Sequence, residues 1–176
     1  MIIGEKTCLR ALNRKDSSLI LQWVNQPNLR AMTGTVFPVS DAEHEVWFEN
    51  KLTEKLNKVF GIEEKSSGKL IGIIGLKNTD YVNRNAELFL YIGDKNNRGK
   101  GLGADALKTM LFFAFEELNL HRISVEVFSY NTQAIKCYEK VGFIQEGILR
   151  ESLYKKGKYH DKILMAILHT NHYFVD

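Results

Sequence analysis

The pattern of hydrophobic and polar positions changes period several times along the chain, and each change predicts a new element. Alternating or short apolar runs predict strands at 7–12, 59–64, 69–76, 86–92, 123–128, 143–154 and 159–168. Apolar residues at helical spacing predict four helices. The first begins at Asp16 or Ser17 and is stopped by Pro27. The others extend from Ser40 to about Leu56, from Gly103 to about Asn119, and from Asn131 or Thr132 to a left-handed cap at Gly142.

The order of these elements is β, α, α, β, β, β, α, β, α, β, β, without an internal repeat. Three consecutive strands joined by short connections are typical of an antiparallel meander, and the later strand–helix–strand segment is typical of a crossover. We therefore predict an α+β fold, in which helices flank a central mixed, mostly antiparallel sheet with strand 86–92 near its middle. No linker divides the 176 residues, so we expect a single domain, 1–176.

The strongest candidate site follows strand 86–92. Three glycines, Gly99, Gly101 and Gly103, occupy alternate positions directly before a predicted helix. Such a turn directs backbone N–H groups outward at a helix N-terminus, where the helix dipole favours negative charge, and glycine lets an anion approach closely. Arg98 and Lys100 add positive charge. A phosphate site is favoured over a plain connection, because so many glycines carry an entropic cost that a connection does not require.

Two common nucleotide loops do not fit this stretch. A dinucleotide fingerprint would place the first glycine directly after the strand, whereas five residues, Asp94 to Arg98, intervene here. Its acidic partner would fall near Glu116 or Glu117, inside a predicted helix. A Walker A loop requires a Lys-Ser or Lys-Thr pair after the last glycine, and none follows. A nucleotide-dependent kinase or oxidoreductase is therefore disfavoured.

Two motifs resemble a known family. Residues 98–103 match [QR]-x-x-G-x-[GA], and residues 131–143 match N-x-x-A-x-x-x-Y-x-x-x-G-F. In this order they resemble the acyl-CoA loop and the signature helix of the GNAT N-acetyltransferase superfamily. Leu9-Arg10, Trp23, Ala86-Glu87 and the stretch 157–161 resemble the branch of ribosomal-protein N-terminal acetyltransferases and, more loosely, the spermidine acetyltransferases. The resemblance covers essentially the whole chain.

The resemblance implies acetyl-CoA as cosubstrate. Backbone groups at the end of strand 86–92 would bind pantetheine, the glycine turn would bind the pyrophosphate, and the signature helix would add an asparagine and a tyrosine. The implied cofactor-binding residues are Leu90, Tyr91, Ile92, Arg98, Gly99, Lys100, Gly101, Leu102, Gly103, Ala104, Asn131 and Tyr138. Side-chain packing of Tyr91 and Ile92 in the core is compatible with backbone binding.

Catalysis of this kind needs a neutral amine and a proton for the departing thiolate. The resemblance implies Tyr138 as the acid and Glu87 as the base acting through water. Periodicity alone makes Tyr138 a core aromatic, Glu87 an exposed strand start, and Asn131 a helix N-cap. Cys137 suggests an acyl-enzyme, but adjacent helical residues point about 100° apart, so direct transfer is favoured.

The acceptor is implied to be a primary amine of a small molecule or a peptide. A protein N-terminus is the leading candidate; a polyamine such as spermidine, an amino sugar, and a non-catalytic CoA-binding module are the alternatives. The resemblance implicates Arg30 to Phe37, Tyr154 and Tyr159 in the acceptor slot. Asp41, Glu45 and Glu49 form an acidic stripe, for which a solvated helix face is favoured over a role in attracting cationic acceptors.

Composition adds several expectations. The net charge of +3 is scattered along the chain, which gives no support for nucleic-acid binding. The chain contains no signal-peptide core and no apolar run near 18 residues, which predicts a cytoplasmic protein without membrane contact. Cys8 and Cys137 are expected to be free. No metal-ligand spacing is present, so no metal is expected, and the protein is expected to be a monomer or a homodimer.

Overall fold

The computed structural model describes residues 1–172. Its strands are β1 (Ile2–Ile3), β2 (Thr7–Ala11), β3 (Val59–Glu64), β4 (Lys69–Asp80), β5 (Asn85–Ile92), β6 (Arg122–Phe128), β7 (Ile144–Lys155) and β8 (Lys158–Leu168). Its α-helices are α1 (Ser17–Val24), α2 (Pro27–Thr33), α3 (Asp41–Thr53), α4 (Leu102–Phe112), α5 (Thr132–Val141) and α6 (His169–His172). Short 3₁₀ helices occupy Arg14–Asp16 and Lys95–Asn97, and a π-helical turn, Phe113–Glu117, follows α4.

The strands form an eight-stranded mixed sheet in the order β1-β2-β3-β4-β5-β6-β8-β7. Antiparallel pairing joins β1 to β2, β2 to β3, β3 to β4, β6 to β8 and β7 to β8, whereas β5 and β6 run parallel. The parallel pair follows from the intervening helix, since a parallel strand can be reached only through a crossover. This arrangement confirms the predicted mixed, mostly antiparallel sheet flanked by helices, with β5 in its interior.

The chain folds into two compact units. The first contains residues 1–77 and 89–110, and the second contains residues 78–88 and the described residues from 111 onward. The core of the first unit includes apolar side chains of α1, α2, α3, β3 and β4. Its buried members are Leu12, Ile20, Trp23, Leu29, Phe48, Val59 and Ile73. Phe89 and Tyr91 pack against this cluster from β5. The single domain expected from the sequence stays a prediction.

Asp16 has a different role from the helix cap that the sequence suggested. Its carboxylate makes no capping hydrogen bond to α1. Instead it receives two hydrogen bonds from the Arg10 guanidinium, at 2.8 and 2.9 Å, and one from the Asn13 N–H. Burial alone would raise the pKa of Asp16, but the hydrogen bonds from Arg10 and Asn13 outweigh it and hold the pKa below its usual range. Arg10 also binds Glu63 on β3, so it connects three segments of the first unit.

One helix was missed, and one predicted helix end was wrong. Pro27 begins α2 rather than merely ending α1, because proline fits the first turn of a helix, where its missing N–H has no intrahelical acceptor. Helix α3 ends at Thr53, since Glu54 already has an extended backbone. Leu56 consequently lies outside the helix and is 58% exposed, although periodicity placed it on the inner face.

The connection between β4 and β5 is shorter than predicted. Strand β4 continues to Asp80, so that Asn78 and Asp80 lie in the strand rather than in the loop. The Asp80 carboxylate accepts hydrogen bonds from the N–H groups of Val82 and Asn83, both at 2.9 Å, and thereby closes the turn. The polar residues that suggested a long loop therefore stabilise a tight one.

The C-terminal hairpin and helix α5 confirm local predictions. Lys155 pairs with Lys158 across a turn in which Lys156 and Gly157 both have positive φ, 49° and 76°. This backbone is typical of a two-residue hairpin turn. Helix α5 ends at Gly142, which has a left-handed φ of 104°.

Candidate functional site

The glycine turn lies in the first unit and leads directly into α4. Gly99 and Gly101 have left-handed backbones, with φ of 75° and 80°. The first intrahelical bond of α4 runs from the Asp105 N–H to the Gly101 carbonyl at 3.0 Å. The N–H groups of Leu102, Gly103 and Ala104 precede this bond, so they have no acceptor within the helix. Unpaired N–H groups and a backbone without side chains at Gly99 and Gly101 fit an anion such as a pyrophosphate.

Gly103 differs from the other two glycines. It lies inside α4 with an ordinary helical backbone, and a Cβ atom there would be 3.7 Å from both Leu90 Cδ1 and Ile92 Cγ1. That distance is a normal van der Waals contact. Gly103 is therefore not required by its own conformation, but its contacts show that the first turn of α4 packs on the end of β5.

The side chains of Arg98 and Lys100 are held by protein groups. Arg98 Nε donates a hydrogen bond to the Ile92 carbonyl at 2.9 Å, and Nη2 donates to the Gly93 carbonyl at 3.4 Å. Lys100 Nζ donates to Asn97 Oδ1 at 3.2 Å. Arg98 therefore fixes the loop to the end of β5. Direct contact of either cation with a phosphate stays a prediction.

Strand β5 is paired unequally along its two edges. Its ladder with β6 joins only Asn85–Glu87 to 122–124 in the described chain, whereas β5 continues to Ile92. At the end of β5, the Gly93 and Asp94 N–H groups both donate to the Ile71 carbonyl of β4. A Cβ at Gly72 would be 2.2 Å from the Tyr91 carbonyl oxygen, so glycine permits this close approach. The backbone at Leu90, Tyr91 and Ile92 lies beyond the β6 ladder, as binding of an extended ligand requires.

Trp23 packs directly against the residue that follows β5. Its indole is 4% exposed, and a Cβ at Gly93 would be 2.1 Å from Trp23 Cδ2. Only a residue without a side chain can therefore follow β5 here. Trp23 and Gly93 together fix α1 against the end of β5, from which the glycine turn begins.

Tyr138 lies in α5, within the second unit, and is 7% exposed. Its ring is 5.3 Å from that of Phe143, with an interplanar angle of 56°. Burial raises the pKa of Tyr138 well above its usual range, and neighbouring Cys137 adds to this effect. The hydroxyl therefore stays protonated at physiological pH. It can donate a proton, as an acid requires, and its ring also packs as periodicity predicted.

Asn131 caps α5, as its position predicted. Its side-chain oxygen accepts a hydrogen bond from the Ala134 N–H at 3.3 Å. A contact between Asn131 and the cofactor stays a prediction. Burial raises the pKa of the Cys137 thiol, with a smaller opposing effect from Lys140. Because the thiolate is the nucleophilic form, this shift agrees with direct transfer rather than an acyl-enzyme.

Glu87 is half-buried in β5, within the second unit, where it lies opposite Ser124 of β6. Asn78 Nδ2 donates a hydrogen bond to Glu87 Oε2 at 3.2 Å. Glu87 is therefore partly exposed at the start of β5. A carboxylate held by a neutral amide can accept a proton through water. Its role as a base stays a prediction.

The elements proposed for acceptor recognition are exposed. In the first unit, Val36 and Phe37 are 67% and 79% exposed, and Arg30 donates a hydrogen bond to the Val36 carbonyl. In the second unit, Tyr154 and Tyr159 form an edge-to-face pair with ring centres 5.0 Å apart. The acidic stripe on α3 is mostly solvated: Asp41 and Glu45 are exposed, and Glu49 forms an ion pair with Arg14.

Both cysteines, Cys8 and Cys137, are free. Over residues 1–172 there is no group of three His, Cys, Asp or Glu side chains that could hold a metal ion. No helix in the described part of the chain has the length and apolar character needed to cross a membrane.

Comparison with known proteins identifies the family. Residues 9–164 match the model of the acetyltransferase (GNAT) domain. The chain is 30% identical to the spermidine N(1)-acetyltransferase of Vibrio cholerae over 170 residues, which cover 97% of each protein. It is 29% identical to the putative ribosomal N-acetyltransferase YdaF of Bacillus subtilis over 171 residues, covering 94% of this chain and 93% of that protein.

Comparison of the fold identifies the same family. The crystal structure of spermidine N-acetyltransferase from Vibrio cholerae in complex with CoA and spermine superposes with a TM-score of 0.87 at 30% sequence identity. The match covers 96% of this chain and 98% of that one. The glycine turn, β5 and α5 thus occur in a chain whose family and fold are both those of acetyl-CoA-dependent enzymes. The chain belongs to the GNAT family and is an N-acetyltransferase that uses acetyl-CoA.

Proposed function

We propose that this enzyme transfers the acetyl group directly to a primary amine of a cationic small molecule of the polyamine class. The observation that carries the proposal is the similarity, over nearly the whole of both chains, to a spermidine N-acetyltransferase solved with CoA and spermine. The exposed carboxylates of Asp41 and Glu45 on α3 support it, because negative surface charge raises the local concentration of polycations. A protein N-terminus is the second candidate, supported by the similarity to YdaF.

The geometry of the first unit supports the cofactor roles in this proposal. The N–H groups at 102–104 and the bare backbone of Gly99 and Gly101 bind the pyrophosphate. The backbone of Leu90 to Ile92, which lies beyond the β6 ladder, binds pantetheine as an added strand would. Bound in this way, acetyl-CoA supplies an activated thioester. Arg98 contributes by holding the loop on β5 and by its positive charge.

Tyr138 serves as the general acid in this proposal. Aminolysis of a thioester releases a thiolate, and protonation of the sulfur makes its departure easier. A donor for this step must still carry its proton at the working pH. The buried Tyr138 hydroxyl meets that requirement, since its pKa is raised by burial.

Glu87 serves as the general base through water. Replacing Glu87 by glutamine is expected to lower kcat/KM roughly 10²-fold near pH 7, because a primary alkyl amine with a pKa of about 10.4 is almost fully protonated there. As pH rises toward the pKa of the amine, the acceptor loses its proton without help, so the defect should shrink. The pH profile of kcat/KM for wild type and Glu87→Gln measures both effects.

A matched control is Glu64→Gln. Glu64 is also a half-buried strand carboxylate with a neutral donor, since Ser67 Oγ donates to it at 2.7 Å. Its replacement should leave the pH profile unchanged. A Glu87→Gln defect of constant size at every pH would contradict the base role and indicate that the carboxylate positions the acceptor or stabilises β5.

The acceptor is tested by a panel of amines read by thiol release. Spermidine and spermine are expected to give kcat/KM at least about tenfold above those of peptides with a free N-terminus and of neutral-tailed amines. KM for spermidine should rise with salt, because ions screen exposed charges over about 10 Å at 0.1 M. A peptide acceptor with the higher kcat/KM would replace the polyamine by a protein N-terminus.

The double variant Asp41→Asn, Glu45→Gln tests whether the exposed carboxylates of α3 attract cationic acceptors. It should raise KM for spermidine at low salt and change KM for a neutral-tailed amine little. Glu49 is left in place because it is paired with Arg14. Equal effects on cationic and neutral amines would show that the α3 carboxylates do not attract the acceptor.

A further inference from the structure

The connection between β1 and β2 is attached to the first turn of α4. The Asp105 carboxylate accepts hydrogen bonds from the N–H groups of Glu5, Lys6 and Thr7, at 3.2, 3.1 and 2.8 Å, and from Thr7 Oγ1 at 2.6 Å. A Cβ at Gly4 would be 2.3 Å from Thr109 Oγ1, so this connection lies directly on the helix. Its position is thereby fixed relative to the glycine turn that precedes α4.

The backbone of Lys6 is held from both sides. Besides the bond from its N–H to Asp105, its carbonyl accepts a hydrogen bond from the Lys65 N–H at 3.0 Å. Lys65 Nζ also donates to the Gly4 carbonyl at 3.1 Å. A residue whose backbone is fixed in this way loses no further backbone entropy when its side chain binds a ligand.

The Lys6 ammonium lies beside the glycine turn. A Cβ built on Gly101 would be 3.7 Å from Lys6 Nζ, and no other heavy atom lies within 4 Å of that position apart from those of adjacent residues. Within residues 1–172 the ammonium itself makes no hydrogen bond or ion pair. It therefore stands next to a left-handed glycine whose backbone is open to an anion.

The charges around Lys6 distinguish it from the cations of the loop. Arg98 and Lys100 donate to protein oxygens, as described above. Asp105 could neutralise Lys6, but its two carboxylate oxygens already accept four hydrogen bonds from the β1–β2 connection. Among the described residues, Lys6 is thus a cation without a protein acceptor, placed beside a loop whose N–H groups lack intrahelical acceptors.

We propose that Lys6 binds a pyrophosphate oxygen of CoA and completes the anion site from the connection between β1 and β2, more than 90 residues before the loop in sequence. The proposal rests on the assignment of residues 98–104 as the pyrophosphate loop. The ammonium would donate a charge-assisted hydrogen bond to the phosphate, and this contact is made by a residue outside both sequence motifs.

The test is calorimetric binding of CoA and dephospho-CoA to the full-length protein, without any acceptor. Lys6→Met retains most of the apolar stem and removes the charge. We expect it to raise the Kd for both ligands roughly 5- to 20-fold at low ionic strength, with a smaller effect in high salt. Lys6→Arg should recover most of the affinity, because it restores a donor with the same charge.

Lys15→Met is the matched control. Lys15 is exposed in the 3₁₀ helix after β2, and it is separated from Lys6 by the whole of that strand, which spans about 16 Å. Lys15→Met removes one positive charge, as Lys6→Met does. The Kd of this control variant for CoA and for dephospho-CoA should stay close to that of wild type. Unchanged affinity in Lys6→Met would overturn the proposal, and so would a loss seen with CoA but not with dephospho-CoA, which would move the contact to the 3′-phosphate.

Gly101→Val separates this proposal from the one on which it rests. If Gly101→Val weakens CoA binding while Lys6→Met does not, the loop assignment stands and the role of Lys6 is wrong. If neither variant changes the Kd, the pyrophosphate is bound elsewhere and both assignments fail. Circular dichroism of each variant establishes that the comparison is made between folded proteins.

Discussion

Replacing Tyr138 by phenylalanine is expected to lower kcat by roughly 10² to 10⁴, the range that general-acid catalysis contributes. The substitution removes only the hydroxyl, so the ring still packs against Phe143. The Kd for acetyl-CoA should therefore change little while turnover falls. Because burial keeps the Tyr138 pKa above its usual range, kcat of the wild type should not decline from loss of this proton below about pH 10.

Pre-steady-state kinetics can establish that the measured step is the chemical one. Tyr81→Phe is the control, since Tyr81 is 48% exposed in the β4–β5 turn and its hydroxyl lies in no proposed site. Tyr138→Phe with full kcat under these conditions would return Tyr138 to a packing role and require another proton donor.

Replacing Gly101 by valine is expected to raise the Kd for acetyl-CoA by at least about 100-fold. The wild type at 100 times its Kd gains about 2.7 kcal/mol from the ligand, and this stabilisation should almost vanish in the variant. Two effects combine: the side chain fills the space that an anion must enter, and a β-branched residue is strained at a φ of 80°. Thermal denaturation with and without acetyl-CoA measures the loss.

Gly68→Val separates these two effects. Gly68 has a φ of 65° in the β3–β4 turn, and a Cβ there meets no atom within 4 Å. It therefore carries a similar backbone strain without belonging to the loop. We expect this variant to lose stability on its own but to keep the full shift with acetyl-CoA. An equal loss of the ligand shift in both variants would mean that strain, rather than obstruction of the phosphate, explains Gly101→Val.

Features that depend on the nearest residues were predictable. The left-handed glycines at 101 and 142 follow from the low steric cost of positive φ in glycine, and the Asn131 cap follows from a short side chain that can reach the next turn. The same local reasoning missed the helix that begins at Pro27, where helix-ending and helix-starting signals coincide. It was wrong at Leu56, where the apolar period continues after the helix has ended.

The sequence by itself determined the family, the mixed sheet and the position of the glycine turn, because motif spacing and hydrophobic period are properties of consecutive residues. Tertiary structure alone decided which distant groups meet. Asp105 binds Lys6 across 99 positions, and Arg10 binds Glu63 across 53. It also decided that β5 leaves its β6 ladder after Glu87. Such contacts depend on how strands order and twist in the sheet, so a charged residue at position 6 carries no local sign of the loop beside which it lies.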